Sequence, residues 1–163
     1  MPANANAQSK KSERLPIRAS VRQHQSIGIV SMPRQQIVSP RIGKPSGHFS
    51  HANAIEARGR FVFISGMTSK AADGSVVGVG DIEAQTRQMC ENVKAAVEAA
   101  GGTMADICRV DVYVKDMGGF DIVHRVRREY FPDPPPASTM VAVGGFTHPD
   151  YLIEMNAIAV IPD

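Results

Sequence analysis

Polar and apolar positions alternate along much of this chain, and where the alternation stops they recur at helical spacing. Arg60-Phe61-Val62-Phe63-Ile64-Ser65 is β-branched and aromatic and stops at Gly66, which predicts a strand. Ile107 to Val114 sets Val110, Val112 and Val114 against Arg109, Asp111 and Tyr113, a strand with one covered face. Between them Ile82, Met89, Val93, Ala96, Val97 and Ala100 form a helical stripe, with Glu83, Arg87, Glu91, Lys94 and Glu98 opposite. Asp81 is placed to cap that helix and Gly101-Gly102 to end it. A second helix takes its apolar edge from Phe120, Val123, Val126 and Tyr130 or Phe131, and Pro134-Pro135-Pro136 ends it before a strand from Thr139 to Val143. The chain closes on the apolar run Tyr151 to Ile161.

Gln35 to Val38 and Asn53 to Ala57 add two short strands, so the order is strand, strand, strand, helix, strand, helix, strand, strand. That order predicts an α+β domain, with two helices on one face of a mixed six-stranded sheet. Phe61, Phe63, Val110 and alternate residues of the last strand exceed what two helices can bury, which points to an oligomer with sites at subunit junctions.

Within the closing run one residue breaks the apolar pattern. Glu154 shares a face with Leu152, Asn156, Ile158 and Val160, opposite Ile153, Met155, Ala157, Ala159 and Ile161. A charged group so flanked either makes a hydrogen bond or ion pair that fixes strand register at a subunit boundary or takes part in chemistry.

Charge divides the chain in two. Residues 1–45 hold eight Lys/Arg against one Glu, a net +7, and the remainder holds ten against fifteen acidic residues, a net −5. Residues 1–33 lack periodicity and read as a disordered basic extension, with Met32 an alternative start, and residues 34–163 as the folded domain. No apolar run is long enough to span a bilayer. Two cysteines, Cys90 and Cys108, make no disulfide framework and carry no signature of an activated nucleophile; a reducing cytoplasm suits them. His48 and His51 lack a third ligand at a fixed interval, so no metal is expected, and Gly78-Val79-Gly80 reads as a turn rather than a phosphate loop.

Several segments together resemble the Rid (reactive intermediate deaminase, YjgF-type) family. They are Phe61 to Gly66, Gly80 to Gln88 leading to Asn92-Val93-Lys94, Asp106 to Asp116, Pro136-Ala137-Ser138-Thr139, and Ile153 to Ala159. They run in order from about Gln35 to the C-terminus. The resemblance implies a chorismate-mutase-like fold, a homotrimer whose sheets form a central barrel, and a cleft at each subunit boundary. It implies a cofactor-free hydrolysis of an enamine or imine that releases ammonia and a 2-oxo acid. Glu154 occupies the position that handles water and protons, and His124 stands on the second helix as a second catalytic candidate able to titrate near neutrality. The alternative for His124 is a capping or surface histidine. Phe49, His51, Gly66, Ser138 and Met140 fall at substrate-binding positions.

Departures from the family pattern bear on substrate. Ser138 stands where well-characterised members carry an arginine that grips a carboxylate with two hydrogen bonds, and Phe49 where many carry tyrosine. Arg41, Lys44, Arg58 and Arg60 are candidates, by position only, for replacing the missing cation. Phe49-Ser50-His51, Ser65-Gly66-Met67-Thr68-Ser69, Val77-Gly78-Val79, Thr139 to Val143 and His148 to Glu154 resemble the 2-aminomuconate deaminase branch, which acts in aromatic ring degradation. Two other functions compete: a noncatalytic ligand-binding or regulatory member, and an RNA-binding or ribonuclease-type member. The acidic balance of residues 46–163 weighs against nucleic acid.

Overall fold

The computed structural model describes residues 34–37, 39–56 and 58–163; the expected basic extension and positions 38 and 57 of the two short strands lie outside the described residues. The elements follow the expected order: β1 (Gln35–Ile37), β2 (Ala52–Ala54), β3 (Arg60–Met67), α1 (Ile82–Ala99), β4 (Ile107–Val114), α2 (Phe120–Tyr130), β5 (Ala137–Ala142) and β6 (Ile153–Ile161). The six strands do not make one sheet. Among the described residues β3, β6, β4 and β5 form a four-stranded sheet in that order, and β1 pairs with β2 in a separate antiparallel ribbon. A single parallel bridge from Ser50 to Ala137 ties the ribbon's approach to edge strand β5. β2 spans only three residues, too few to extend a ladder along β5. The sheet is mixed as expected, with β4–β5 parallel and β6 antiparallel to both β3 and β4.

Both helices cover one face. Met89, Cys90, Val93 and Val97 of α1 and Val123 of α2 pack on Val110, Val112, Val114, Ile153, Met155 and Ala159, all nearly or fully buried. Val110 therefore belongs to the covered face, not with Phe61 and Phe63. Those two phenylalanines, on the opposite face of β3, are 54% and 74% exposed. Asp81 caps α1 by accepting from the Glu83 and Ala84 N–H groups at 2.9 and 3.1 Å, and Gly101, at φ +85°, ends it in a conformation glycine adopts without cost. Outside the core, Arg87 bridges Glu83 of its own helix to Glu129 of α2, and Arg125 returns to Glu83, which holds the two helices side by side at the surface.

Candidate active site

Glu154 lies half-buried on the helix-free face. It sits opposite Tyr113 on β4, and its carboxylate reaches sideways to β3. There the Oε1 atom occupies the space above Gly66 that any other residue would fill: a Cβ on Gly66 would stand 1.9 Å from it. A register irregularity between Ile64 and Met67 shapes β3 at this point, next to the strand's end. Among the described residues the carboxylate makes no ion pair within its own chain.

The other candidates gather on the opposite side of the sheet, at the edge formed by β5 and the start of α2. His124 is buried beneath the loop that carries Gly47 to Phe49. Its Nδ1 accepts from the His48 backbone N–H at 2.9 Å, which places the proton of the neutral ring on Nε2. The Phe120 ring lies 4.2 Å away and the Phe49 ring 6.4 Å, centroid to centroid. Burial, with repulsion from Arg127, Arg128 and His48, pushes the His124 pKa down to about 4, outweighing attraction by Asp121. His124 is therefore neither a surface histidine nor a group that titrates near neutrality, and that expectation is corrected. His48 is also buried: its Nε2 lies 3.0 Å from the Phe131 carbonyl, and burial lowers its pKa too. His51 braces the same loop through Nε2, 2.7 Å from the Gly43 carbonyl. Met140 turns inward and packs against the core.

Ser138 accepts a hydrogen bond at 3.1 Å from Nη2 of Arg127, a residue that was not among the sequence candidates. Arg127 is fully buried, and its guanidinium carbon lies 5.7 Å from the centre of the Phe131 ring. A signal for it existed: Phe120, His124, Arg127 and Phe131 recur at four-, three- and four-residue steps, so the arginine stands on the stripe of α2 that turns inward. Of the four cations that are candidates by position, Arg58 pairs with Glu56 at 3.4 Å and Arg60 donates to the Ala100 carbonyl at 2.7 Å, both away from Ser138, while Arg41 and Lys44 lie exposed in the loop.

The candidates thus form two groups: Glu154 with Gly66, and Phe49, His124 and Ser138 with Arg127. Ser138 pairs with Val110 and Glu154 with Tyr113, three residues or ~10 Å apart along β4, and on opposite faces. One chain does not bring them together. Two cavities of about 250 and 220 Å3 open elsewhere, the first lined by Asn53, Phe61, Cys108 and Val160, the second by Ile82, Lys115 and Leu152, and neither includes Glu154 or Ser138. Among the described residues no three His, Cys, Asp or Glu side chains are grouped to hold a metal ion, and no helix is long and apolar enough to cross a membrane.

The family described as Endoribonuclease L-PSP matches residues 40–161, which includes every residue of both groups. The chain belongs to the Rid/YjgF (L-PSP) family. A RutC family protein of Pyrococcus horikoshii is 40% identical over 77% of this chain and 97% of its own length, and one of Pyrococcus abyssi is 36% identical over 78% and 98%. Among solved structures, a Rid family protein of unknown function from Yersinia pestis superposes with a TM-score of 0.72 at 32% identity, covering 80% of this chain and all of that one. The YjgF gene product of E. coli gives 0.58 at 37% identity, over 63% of this chain and 81% of that one. The Rid fold, an α+β sheet with two helices on one face, is thus common to them.

Proposed function

We propose that this Rid protein is a cofactor-free hydrolytic deaminase of an enamine or imine, acting at sites completed between copies of the chain. One observation carries the reading: Glu154 holds a half-buried carboxylate on the uncovered face, free of any ion pair among the described residues, with Gly66 leaving room for its oxygen. In the reaction, an enamine first tautomerises to the imine by moving a proton from nitrogen to carbon; water then adds to the C=N carbon, the tetrahedral adduct loses ammonia, and a carbonyl remains. Glu154 takes the proton of the attacking water and returns it to the departing nitrogen, the work of a positioned general base and acid. His124, neutral and with Nε2–H free to donate, orients the substrate rather than exchanging protons.

Two features support a shared site. The Glu154 and Ser138 groups lie on opposite faces of one sheet, and the exposed Phe61 and Phe63 flank the face that bears Glu154. A second copy packed on that face brings its own Ser138 edge toward Glu154, and the trimer is the assembly the family resemblance implies. Within the family, the segments shared with the 2-aminomuconate deaminase branch favour 2-aminomuconate or a related aminomuconate as substrate. A second reading, ligand binding without turnover, is favoured by Ser138 in place of the strand arginine.

The deciding experiment measures ammonia release from enzymatically generated 2-aminomuconate and, in parallel, from 2-aminoacrylate, with the native protein and Glu154→Gln. Release from aminomuconate alone, abolished in the variant, is expected. Release from neither would leave the noncatalytic reading, and undiminished release by Glu154→Gln would remove the carboxylate from the mechanism.

A further inference from the structure

Two arginines are buried in this domain, and they are buried in different ways. Arg34 is 7% exposed and spends its donors on backbone carbonyls: Nη1 on Ala105 and Ile107, Nη2 on Pro132 and Pro134, and Nε on Pro134. That is the pattern of an arginine whose work is to tie loops together. Arg127 has no exposure at all, yet among the described residues its one hydrogen bond is to the Ser138 hydroxyl, and its Nε and Nη1 atoms are buried with no partner. An unsatisfied buried donor is destabilising, and a buried cation without a counterion more so.

Among the described residues the surroundings supply no counterion, and no ion pair includes Arg127. Its neighbours are Phe131, the two buried histidines His48 and His124, and the thiol of Cys90. Burial lowers the arginine's pKa to about 10, which still leaves it charged at neutral pH, whereas burial pushes the Cys90 thiol up to about 12, so the sulfur brings no charge. His48 and His124 are held neutral. What remains is one fixed positive charge with two idle donors, beside the half-buried Ser138 on an edge strand and under a loop held by the His48 to His124 hydrogen bond.

We infer that Arg127 is the specificity residue of this site: it binds a carboxylate of the substrate through its guanidinium, while Ser138 positions that guanidinium from the strand. The inference rests on the proposed function and narrows it to imines that carry a carboxylate. The positive charge that the family pattern places on the strand at Ser138 is delivered here from the facing helix. A carboxylate accepts from one idle donor, Nη1 or Nε, together with the second hydrogen of Nη2, in the planar, two-pronged geometry that suits arginine and not lysine. The ligand enters by displacing the segment from Gly47 to Phe49, which lies against His124.

The test is a binding measurement, separate from turnover. The affinity of the full-length protein for 2-oxopentanoate, and for its uncharged counterpart 2-pentanone, is measured by calorimetry and ligand-observed NMR. The native protein should bind the acid and not the ketone. Arg127→Leu should weaken the acid tenfold or more, and Arg127→Lys, which keeps charge but loses the fork, should weaken it severalfold. Arg127→Leu combined with Ser138→Arg should regain affinity from the strand side, a rescue that a purely structural arginine would not allow. Circular dichroism and thermal melts show which variants fold; if Arg127→Leu does not, Arg127→Lys and the double variant decide. Folded variants that bind the acid as the native protein does, a folded double variant with no recovery, or a native protein indifferent to the carboxylate would each overturn the inference. The two readings fail separately. Carboxylate affinity that depends on Arg127, with no ammonia released from any imine, sinks the deaminase and keeps the clamp. Ammonia release with a KM unmoved by Arg127→Leu does the reverse.

Discussion

Oε1 of Glu154 fills the space over Gly66 so closely that a methyl group on the glycine would stand 1.9 Å from the oxygen. Gly66 is not at positive φ, so the constraint there is space, not backbone conformation. Gly66→Ala should therefore leave the fold nearly untouched, within ~1 kcal/mol, because the obstructed group is the end of a flexible side chain. It should push the carboxylate aside and lower kcat ~100-fold, the scale of a misplaced catalytic group. Steady-state ammonia release beside a thermal melt checks this. A variant that melts as the native protein does and turns over at the native rate would show that Glu154 need not stand where it does.

The buried histidines predict how stability follows pH. The folded pKa of His124 is lowered to about 4 from its ordinary 6.5, and that of His48 moves the same way. Between those values the unfolded chain binds more protons than the folded one, so stability is fully present above about pH 6.5 and falls as the pH drops toward 4. Burial sets the sign, and of the charged groups facing His124, Arg127, Arg128 and His48 add to it while Asp121 opposes it. Urea unfolding at pH 7 and pH 4.5 should differ by on the order of 2 kcal/mol from His124. His124→Asn, which keeps an acceptor for the His48 N–H, should flatten that slope. An unchanged slope in the variant would mean that other groups carry the dependence.

How much of this was legible in the sequence depends on whether a residue's meaning is local. The strand from Arg60, the helix from Asp81 to Gly101 and the alternation around Glu154 follow from patterns within a few residues, and each lies where the pattern puts it. Whether six strands make one sheet or a four-stranded sheet and a ribbon depends on pairing between distant segments, which local periodicity does not encode. The same holds for the site. Glu154 stood out because it interrupts an apolar run, whereas Arg127 hides among Arg125, Arg128 and Glu129, and only its place on the inward stripe of α2 sets it apart. The burial of His48 does not show in the sequence, because nothing near it reveals that its loop folds back onto α2.

Neither thiol should react readily in the folded protein. Cys90 has no exposure, and burial holds its pKa at about 12; Cys108 is half-buried, shifted in the same direction, and its Sγ donates to the Ile158 carbonyl at 3.3 Å. Since the thiolate is the reactive species, labelling by iodoacetamide at pH 7.5 should be negligible at Cys90 and slow at Cys108, and both should label quickly in urea. Peptide mapping by mass spectrometry separates the two. Rapid modification of native Cys90 would mean that the core beneath α1 opens far more often than its packing implies.

The last prediction concerns Phe63, 74% exposed on the face that carries Glu154. Its cross-strand neighbour Ile158 and the nearby Phe61 make that end of the face apolar, while Arg109, Asp111 and Thr139 join in a polar cluster on the same side, with Arg109 Nη2 at 2.6 Å from Asp111 and 2.7 Å from Thr139. A surface built this way suits another copy of the sheet: apolar area to bury, and polar groups already satisfied within their own chain. Phe63→Asp should keep the secondary structure of a single domain, because the side chain leaves no hole in the core, yet it should place a charge in the junction. Light scattering should then give the mass of one chain, and ammonia release should fall to background although Glu154, Gly66 and Arg127 are intact. A monomeric Phe63→Asp protein that retained full turnover would mean that one chain suffices, and the Ser138 and Glu154 groups would have to act apart.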